Sequence, residues 1–241
     1  MVPPHFANLR VVLVRPRNPL NIGAAARAMS NFGFSDLRLV SPWKPSFRDA
    51  VSAVGASQVM QEARCYDSLS EALADCSLVA GTTAVGEREL QHPLHPLAEA
   101  GGLIHAQLAS APVALVFGSE KSGLSNEELS YCHWLLRIPT RDAHISMNLG
   151  QAVAVCLYEL ARNSAQPVPA AKDAPAAAAD VERIYSLLYT ALCASGHTQD
   201  DPMARERTRR LVNRLALDVP DAHALQGMLR KMLWKIKHAP E

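Results

Sequence analysis

The sequence predicts an α/β fold, a parallel sheet with helices on both faces, followed by a small helical extension. Three observations predict it. Short, nearly continuous apolar runs alternate with segments of helical period along the first two thirds of the 241 residues. Those runs carry no inward–outward alternation, which is the pattern of strands buried on both sides. The composition then changes at "NSAQPVPAAKDAPAAAAD", residues 163–180, an Ala/Pro-rich stretch whose one large apolar residue is Val168.

Taken in order, residues 9–15 read as a buried strand, short, β-branched and bounded by prolines. A helix follows from about Asn21 to Asn31, and "FSDLRLVSP" is the next strand. "SLSEALADC" is a short helix opened by a capping box, Ser68 with Glu71 three residues on. "SLVAGTTA" is a strand that ends in a small-residue loop, and a helix lies around 96–109. "PVALVFGSE" is a strand, and Ser125 with Glu128 forms a second capping box for "NEELSYC". "WLLRIPT" is a strand and "NLGQAVAVCLYELAR" a long apolar helix. Beyond the Ala/Pro stretch the pattern gives three helices, roughly 180–194, 202–216 and 220–237. The expected division is an α/β domain over 1–163, a linker over 164–180 and a basic helical extension over 181–241.

The net charge of +1 does not announce a nucleic-acid binder. The tail does so locally. From Met203 onward nine Lys/Arg stand against four acids, a net +5. That is either a solvated helix face or an arm for phosphate backbone. The five cysteines form no CxxC pair, and His, Cys, Asp and Glu show no metal-ligand spacing. With no signal-peptide core and no run long enough to span a bilayer, the expectation is a cytoplasmic protein without metal.

In open α/β sheets, ligands gather at the carboxyl ends of the strands. "GSEKSGLS" has the frame of a phosphate-binding loop, Gly118 to Gly123, but Leu124 stands where a triphosphate site needs lysine. No GxGxxG follows the first strand, and Ser119 and Ser122 lie in no GxSxG elbow. What remains is a set of Gly/Ser/Thr loops suited to a ligand read through a base edge and a ribose.

"NIGAAARAMSNFGF", "ALVFGSEKSGLSNEEL" and "IPTRDAHISMNLGQAVAVCLYEL" together resemble the three successive motifs of the SpoU branch of SPOUT RNA 2'-O-methyltransferases. Within that branch the sequence is similar to the TrmJ group, whose members methylate the ribose of tRNA nucleotide 32 and carry a helical extension. The resemblance implies a C-terminal deep trefoil knot, a homodimer, and S-adenosylmethionine held by the knot's loops. It implies cofactor contacts from Thr82, Thr83 and Ala84, from Gly118, Glu120 and Gly123, and from Ile138, Ile145, Ser146 and Met147. It casts Asn21, Arg27, Ser146 and Asn148 as the catalytic set. Lys121 departs from the glycine that many SpoU sequences have after this glutamate. Another tRNA position, ribosomal RNA, or a silent RNA-binding homologue are the alternatives within the same resemblance.

Arg27 is the single charge on a helix of small residues. On a wheel of 3.6 residues per turn, Ile22, Ala25, Ala26, Met29 and Phe32 share one face and Arg27 falls opposite, near Asn31. By itself it reads as an ordinary solvated arginine; the resemblance makes it a cation facing the RNA ribose across a subunit boundary. The expected RNA contacts are Arg27 and, from the tail, Arg205, Arg209, Arg210, Lys231 and Lys235. His144 is expected to be an exposed loop histidine.

Overall fold

The structure, a computed structural model, describes residues 3–43, 57–84, 91–162 and 174–238. Seven strands make one sheet: β1 Leu9–Val14, β2 Asp36–Val40, β3 Arg64–Tyr66, β4 Leu78–Thr82, β5 Leu94–Pro96, β6 Val113–Phe117 and β7 Trp134–Arg137. Their order is β3-β2-β1-β6-β4-β7-β5, and every pairing is parallel. The helices among the described residues are α1 Pro19–Phe32, α2 Ser57–Glu62, α3 Leu69–Leu73, α4 Leu97–Leu108, α5 Asn126–Leu129, α6 Leu149–Arg162, α7 Ala178–Ala194, α8 Pro202–Asn213 and α9 Val219–Lys237.

The apolar runs are continuous because both faces of the sheet are covered. In β6, Val113, Leu115 and Phe117 join the core formed with α1, α4 and α6, while Ala114 and Val116 join the opposite core with Leu69 and Leu73 of α3 and Leu129 of α5. All five residues are buried. Each large apolar side chain enclosed this way contributes about 1.5–3 kcal/mol. β1 is an inner strand beside the central β6, pairing Leu13 with Leu39 on one side and with Phe117 on the other.

The opening helix starts earlier than its pattern suggests. Asn18 caps it by accepting from the Leu20 N–H, and Pro19 occupies the first turn, where a missing N–H costs nothing. Its small residues have a packing role. A Cβ on Gly150 of α6 would lie 2.6 Å from the Ala24 Cβ, so α1 and α6 meet nearly backbone to backbone. The capping box at Ser125 forms in full, whereas at Ser68 the hydroxyl accepts from the Glu71 N–H and only that half is made. Elements without a sequence expectation are short or lie at the sheet's margins: α2, β3, β5, and 3-10 turns at Pro4–Asn8 and Asp142–His144.

At the amino edge of the sheet lies a charge network. Arg38, 2% exposed, binds Asp36 and Asp75 with both ends of its guanidinium and also donates to the Ala72 carbonyl. Arg10 reaches Asp36 and Asp75 at 3.1 Å, and Arg64 adds a bond to Asp36. Burial pushes the Asp75 carboxyl up, but Arg38 and Arg10 outweigh it and hold that carboxyl far below the usual range; Asp36 moves the same way.

Three helices follow where three were expected. Their own core holds Ile184, Tyr185, Val212 and Leu229. The Ala178 N–H donates to the Cys76 carbonyl at 2.6 Å and the Ala179 N–H to the Ala74 carbonyl at 3.1 Å, so α7 begins against the sheet domain. The expected boundary at residue 163 and most of the expected linker lie outside the described residues. Cys76, Cys132 and Cys156 are buried, and Cys65 is exposed. Among the described residues no helix is long and apolar enough to cross a membrane.

Candidate active site

Four strands deliver the site. The segments after β1, β4, β6 and β7 meet at the carboxyl edge of the sheet, and three of them enclose a cavity of about 530 Å³. That volume suits a nucleoside-sized ligand.

The first loop leaves β4 at Thr82, whose Oγ1 donates to the Val116 carbonyl at 3.1 Å; the Thr83 N–H donates to the Leu136 carbonyl at 3.0 Å. The second loop turns back on itself. The Gly123 N–H donates to the Ser119 carbonyl at 2.8 Å, Gly123 takes φ +65°, and a Cβ on Gly118 would sit 2.1 Å from the Gly123 carbonyl carbon. Glycine is required at 118 by that crossing and favoured at 123 by the left-handed backbone. The third loop is closed by Thr140, whose Oγ1 donates to the Ile145 carbonyl at 3.2 Å. Thr82, Thr83, Ala84, Gly118, Glu120, Gly123, Ile138, Ile145, Ser146 and Met147 all line the cavity. Phe117, Leu124, Leu129, Leu136 and Leu149 supply its apolar wall. Leu124 is buried there, so the position that would need a phosphate-binding lysine is part of a hydrophobic surface.

Glu120 is the knot of hydrogen bonds at the rim. Its carboxylate accepts from the Arg17 N–H (2.9 Å), the Asn18 N–H (3.1 Å) and Asn21 Nδ2 (2.9 Å). Asn148 Nδ2 donates to Asn21 Oδ1 at 2.9 Å, and Asn148 Oδ1 accepts from the Gln151 N–H at the start of α6. Partial burial raises the Glu120 carboxyl, yet hydrogen bonds from Asn21 and from backbone N–H groups, including those of Arg17 and Asn18, prevail and hold it below its ordinary value. It is therefore an ionised anchor that joins the first motif to the second and, through Asn21, to the third.

A second tie lay beyond the sequence reading. Arg15 ends β1 in a left-handed conformation, φ 49°, and its guanidinium grips Glu128 of α5 at 2.8 and 2.9 Å. The Ser125–Glu128 box was legible; its remote partner was not, because the two residues are far apart along the chain. Such a strained residue persists only where its surroundings hold it.

Arg27 stands apart from its own chain's cavity. It is exposed on the face of α1 that also carries Leu20 and Asn31. Beside that face, α6 exposes Val155 and Tyr158, and the Tyr158 ring meets Phe32 at 6.1 Å. Asn21, Ser146 and Asn148 are brought together with the cavity or its rim, and Arg27 is not. His144 is exposed in its 3-10 turn.

The tail cations divide. Lys231 and Lys235 are exposed on α9. Arg205 is exposed but paired with Asp200 at 2.8 and 2.6 Å, and Arg210 is half-buried on α8. Arg209 is held by its own chain. Its guanidinium lies 4.3 Å from the ring centroids of both Tyr131 and Tyr185, binds Glu182 at 3.2 Å, and has a side chain only 12% exposed. The tyrosines and Glu182 surround it, so less of its charge is open to solvent than that of Lys231 or Lys235. Among the described residues no group of His, Cys, Asp and Glu is arranged to hold a metal ion.

Comparison with known proteins agrees with this architecture. The profile of the SpoU rRNA methylase family matches residues 8–158. A Klebsiella pneumoniae protein named tRNA (cytidine/uridine-2'-O-)-methyltransferase TrmJ is 39% identical over 232 residues, covering 92% of this chain and 95% of the relative. A Yersinia pestis protein of the same name is 38% identical, covering 92% and 90%. Among solved structures, TrmJ from Z. mobilis ZM4 superposes with a TM-score of 0.82 at 32% identity, covering 92% of this chain and 98% of that one. With its three motifs assembled around one cavity and its tail included in the match, the chain belongs to the SpoU methylase family of enzymes, in the TrmJ group.

Proposed function

We propose that the chain methylates a ribose 2'-hydroxyl of tRNA with S-adenosylmethionine as donor, at nucleotide 32 of the anticodon loop. One observation carries the reading: three strand-end loops converge on a single cavity with an apolar wall, in which buried Leu124 stands where a phosphate-binding loop would carry its lysine. A nucleoside sulfonium fits that chemistry: Leu136, Ile138 and Leu149 would give it apolar contact, and Thr82, Gly118 and Ser146 would offer it polar groups. The names of its relatives, tRNA (cytidine/uridine-2'-O-)-methyltransferase, support tRNA as the substrate.

When bound, S-adenosylmethionine supplies an electrophilic methyl carbon. The protein's task is to align a weakly nucleophilic hydroxyl with it and to stabilise the charge that develops on the oxygen. Asn148 and Ser146 orient the ribose at the rim. The Arg27 guanidinium, a donor with no acceptor, holds the 3'-phosphate and polarises the hydroxyl, whose proton leaves to that phosphate or to water. Because Arg27 lies off its own cavity, the reading requires a homodimer in which it serves the partner's cavity. The joint α1–α6 face supports this, with Leu20 and Tyr158 each 55% exposed beside the arginine.

The remaining parts of the proposal are a trefoil knot closing the domain over 1–163, a cytoplasmic location, and an extension over 181–241 that adds phosphate contacts through Lys231 and Lys235. Incubation with total tRNA and labelled donor, followed by mapping of the modified ribose, tests the whole. Label at nucleotide 32 is expected. Label elsewhere, in ribosomal RNA only, or nowhere despite donor binding would overturn the substrate assignment.

A further inference from the structure

The cavity's second loop runs into α5, a helix of four residues, Asn126–Leu129. A single turn is not stable by itself, since helix nucleation is unfavourable. Yet Leu124, just before its start, and Leu129, at its end, line the cavity. Something outside α5 must fix it. On one side Arg15 grips Glu128. On the other side the grip comes from α8. Asn213 Nδ2 donates to the Ser130 carbonyl at 2.7 Å, and Arg209 Nη1 donates to Ser130 Oγ at 3.3 Å. The same guanidinium is stacked between Tyr131, which follows α5, and Tyr185 of α7. Ser130 is fully buried, and Asn213 is 7% exposed. This is an enclosed joint, with a cation held against two rings and a buried serine bonded at both its hydroxyl and its carbonyl.

We propose that Arg209 and Asn213 are positioning residues for the cofactor cavity: by holding Ser130 and Tyr131, the helical extension fixes α5 and thereby the shape of the second loop. The inference rests on the cavity being the cofactor site. It gives the extension a role in donor binding that is separate from contact with RNA. It also makes the two linked, because anything that moves α8 must alter donor affinity by the same factor that the donor alters that movement.

The test uses the full-length protein without RNA. S-adenosylmethionine binding is measured by calorimetry, and amide hydrogen exchange is followed in the unliganded chain. Arg209→Ala and the milder Asn213→Ser should each weaken donor binding about three- to tenfold. Both should speed exchange over Leu124–Cys132 and leave residues 140–148 unchanged. Arg209→Lys should fall between, since an ammonium cannot lie flat between two rings. With Asn213→Ser, the donor KM should rise while kcat at saturating donor stays near wild type. Wild-type affinity and wild-type exchange in the Ala and Ser variants would overturn the proposal. If the wild-type chain itself bound no donor, the cofactor reading would fail, and exchange over Leu124–Cys132 would still decide whether α8 holds α5.

Discussion

The two edges of the sheet treat charge in opposite ways. At the amino edge, Arg10, Arg38 and Arg64 are matched to Asp36 and Asp75, and Arg38 is almost completely enclosed. Each of these five charges already has an opposite partner. At the carboxyl edge, besides the Arg15–Glu128 pair, the carboxylate of Glu120 is surrounded by neutral donors, and its bonds organise loops around a cavity. The first edge closes the fold; the second keeps main-chain groups available in a fixed arrangement. Parallel α/β sheets place their ligands at the carboxyl ends of the strands, and the distribution of charge here follows that division.

The comparison breaks most sharply at Arg27. Arg27→Ala should lower kcat about 100- to 1000-fold while donor binding, read by calorimetry, stays near wild type. Normal turnover in this variant would remove Arg27 from the site. The amino edge should answer in stability. Arg38→Met leaves Asp36 and Asp75 without their shared cation and should cost about 3 kcal/mol in urea unfolding, with activity per folded molecule unchanged. That edge also sets an acid limit. Asp36 and Asp75 ionise more readily folded than unfolded, so their stabilisation is complete above about pH 4 and is lost as pH falls toward their lowered values. Arg38→Met should flatten this acid dependence.

A smaller effect is expected at Glu120. Glu120→Gln offers one acceptor oxygen to three donors and should reduce kcat/KM about tenfold, with little change in unfolding. Smallest are the tail lysines. Lys231→Ala with Lys235→Ala should weaken tRNA binding a few-fold and reduce the slope of log affinity against log salt by about one per lysine, without altering donor affinity. An unchanged slope would separate these lysines from the RNA.

The sequence made the central strands and the long helices legible because their apolar periodicity is local. β3 and β5 were not, since "RCY" and "LHP" are three-residue margin strands, one of them carrying a proline. Every residue lining the cavity that the motifs nominated is there, but the motifs gave no hint of how the loops are tied. Glu120 meets Asn21 across 99 positions, Arg15 meets Glu128 across 113, and Arg209 meets Ser130 across 79. Arg38 is a charge inside the apolar run "DLRLV"; one of its two carboxylate partners, Asp75, comes from a remote turn of the chain. Pairings of that kind depend on the fold, and local pattern does not encode them.

The thiols offer a practical consequence. Burial pushes Cys132 and Cys156 up to about 12 and Cys76 beyond, so none of the three presents a thiolate at neutral pH while the sheet is intact. Cys65 lies on the outermost strand, open to solvent. An alkylating dye would therefore mark Cys65 first and reach those three only in molecules that have opened, so the chain carries its own handle for attachment and its own reporter of unfolding.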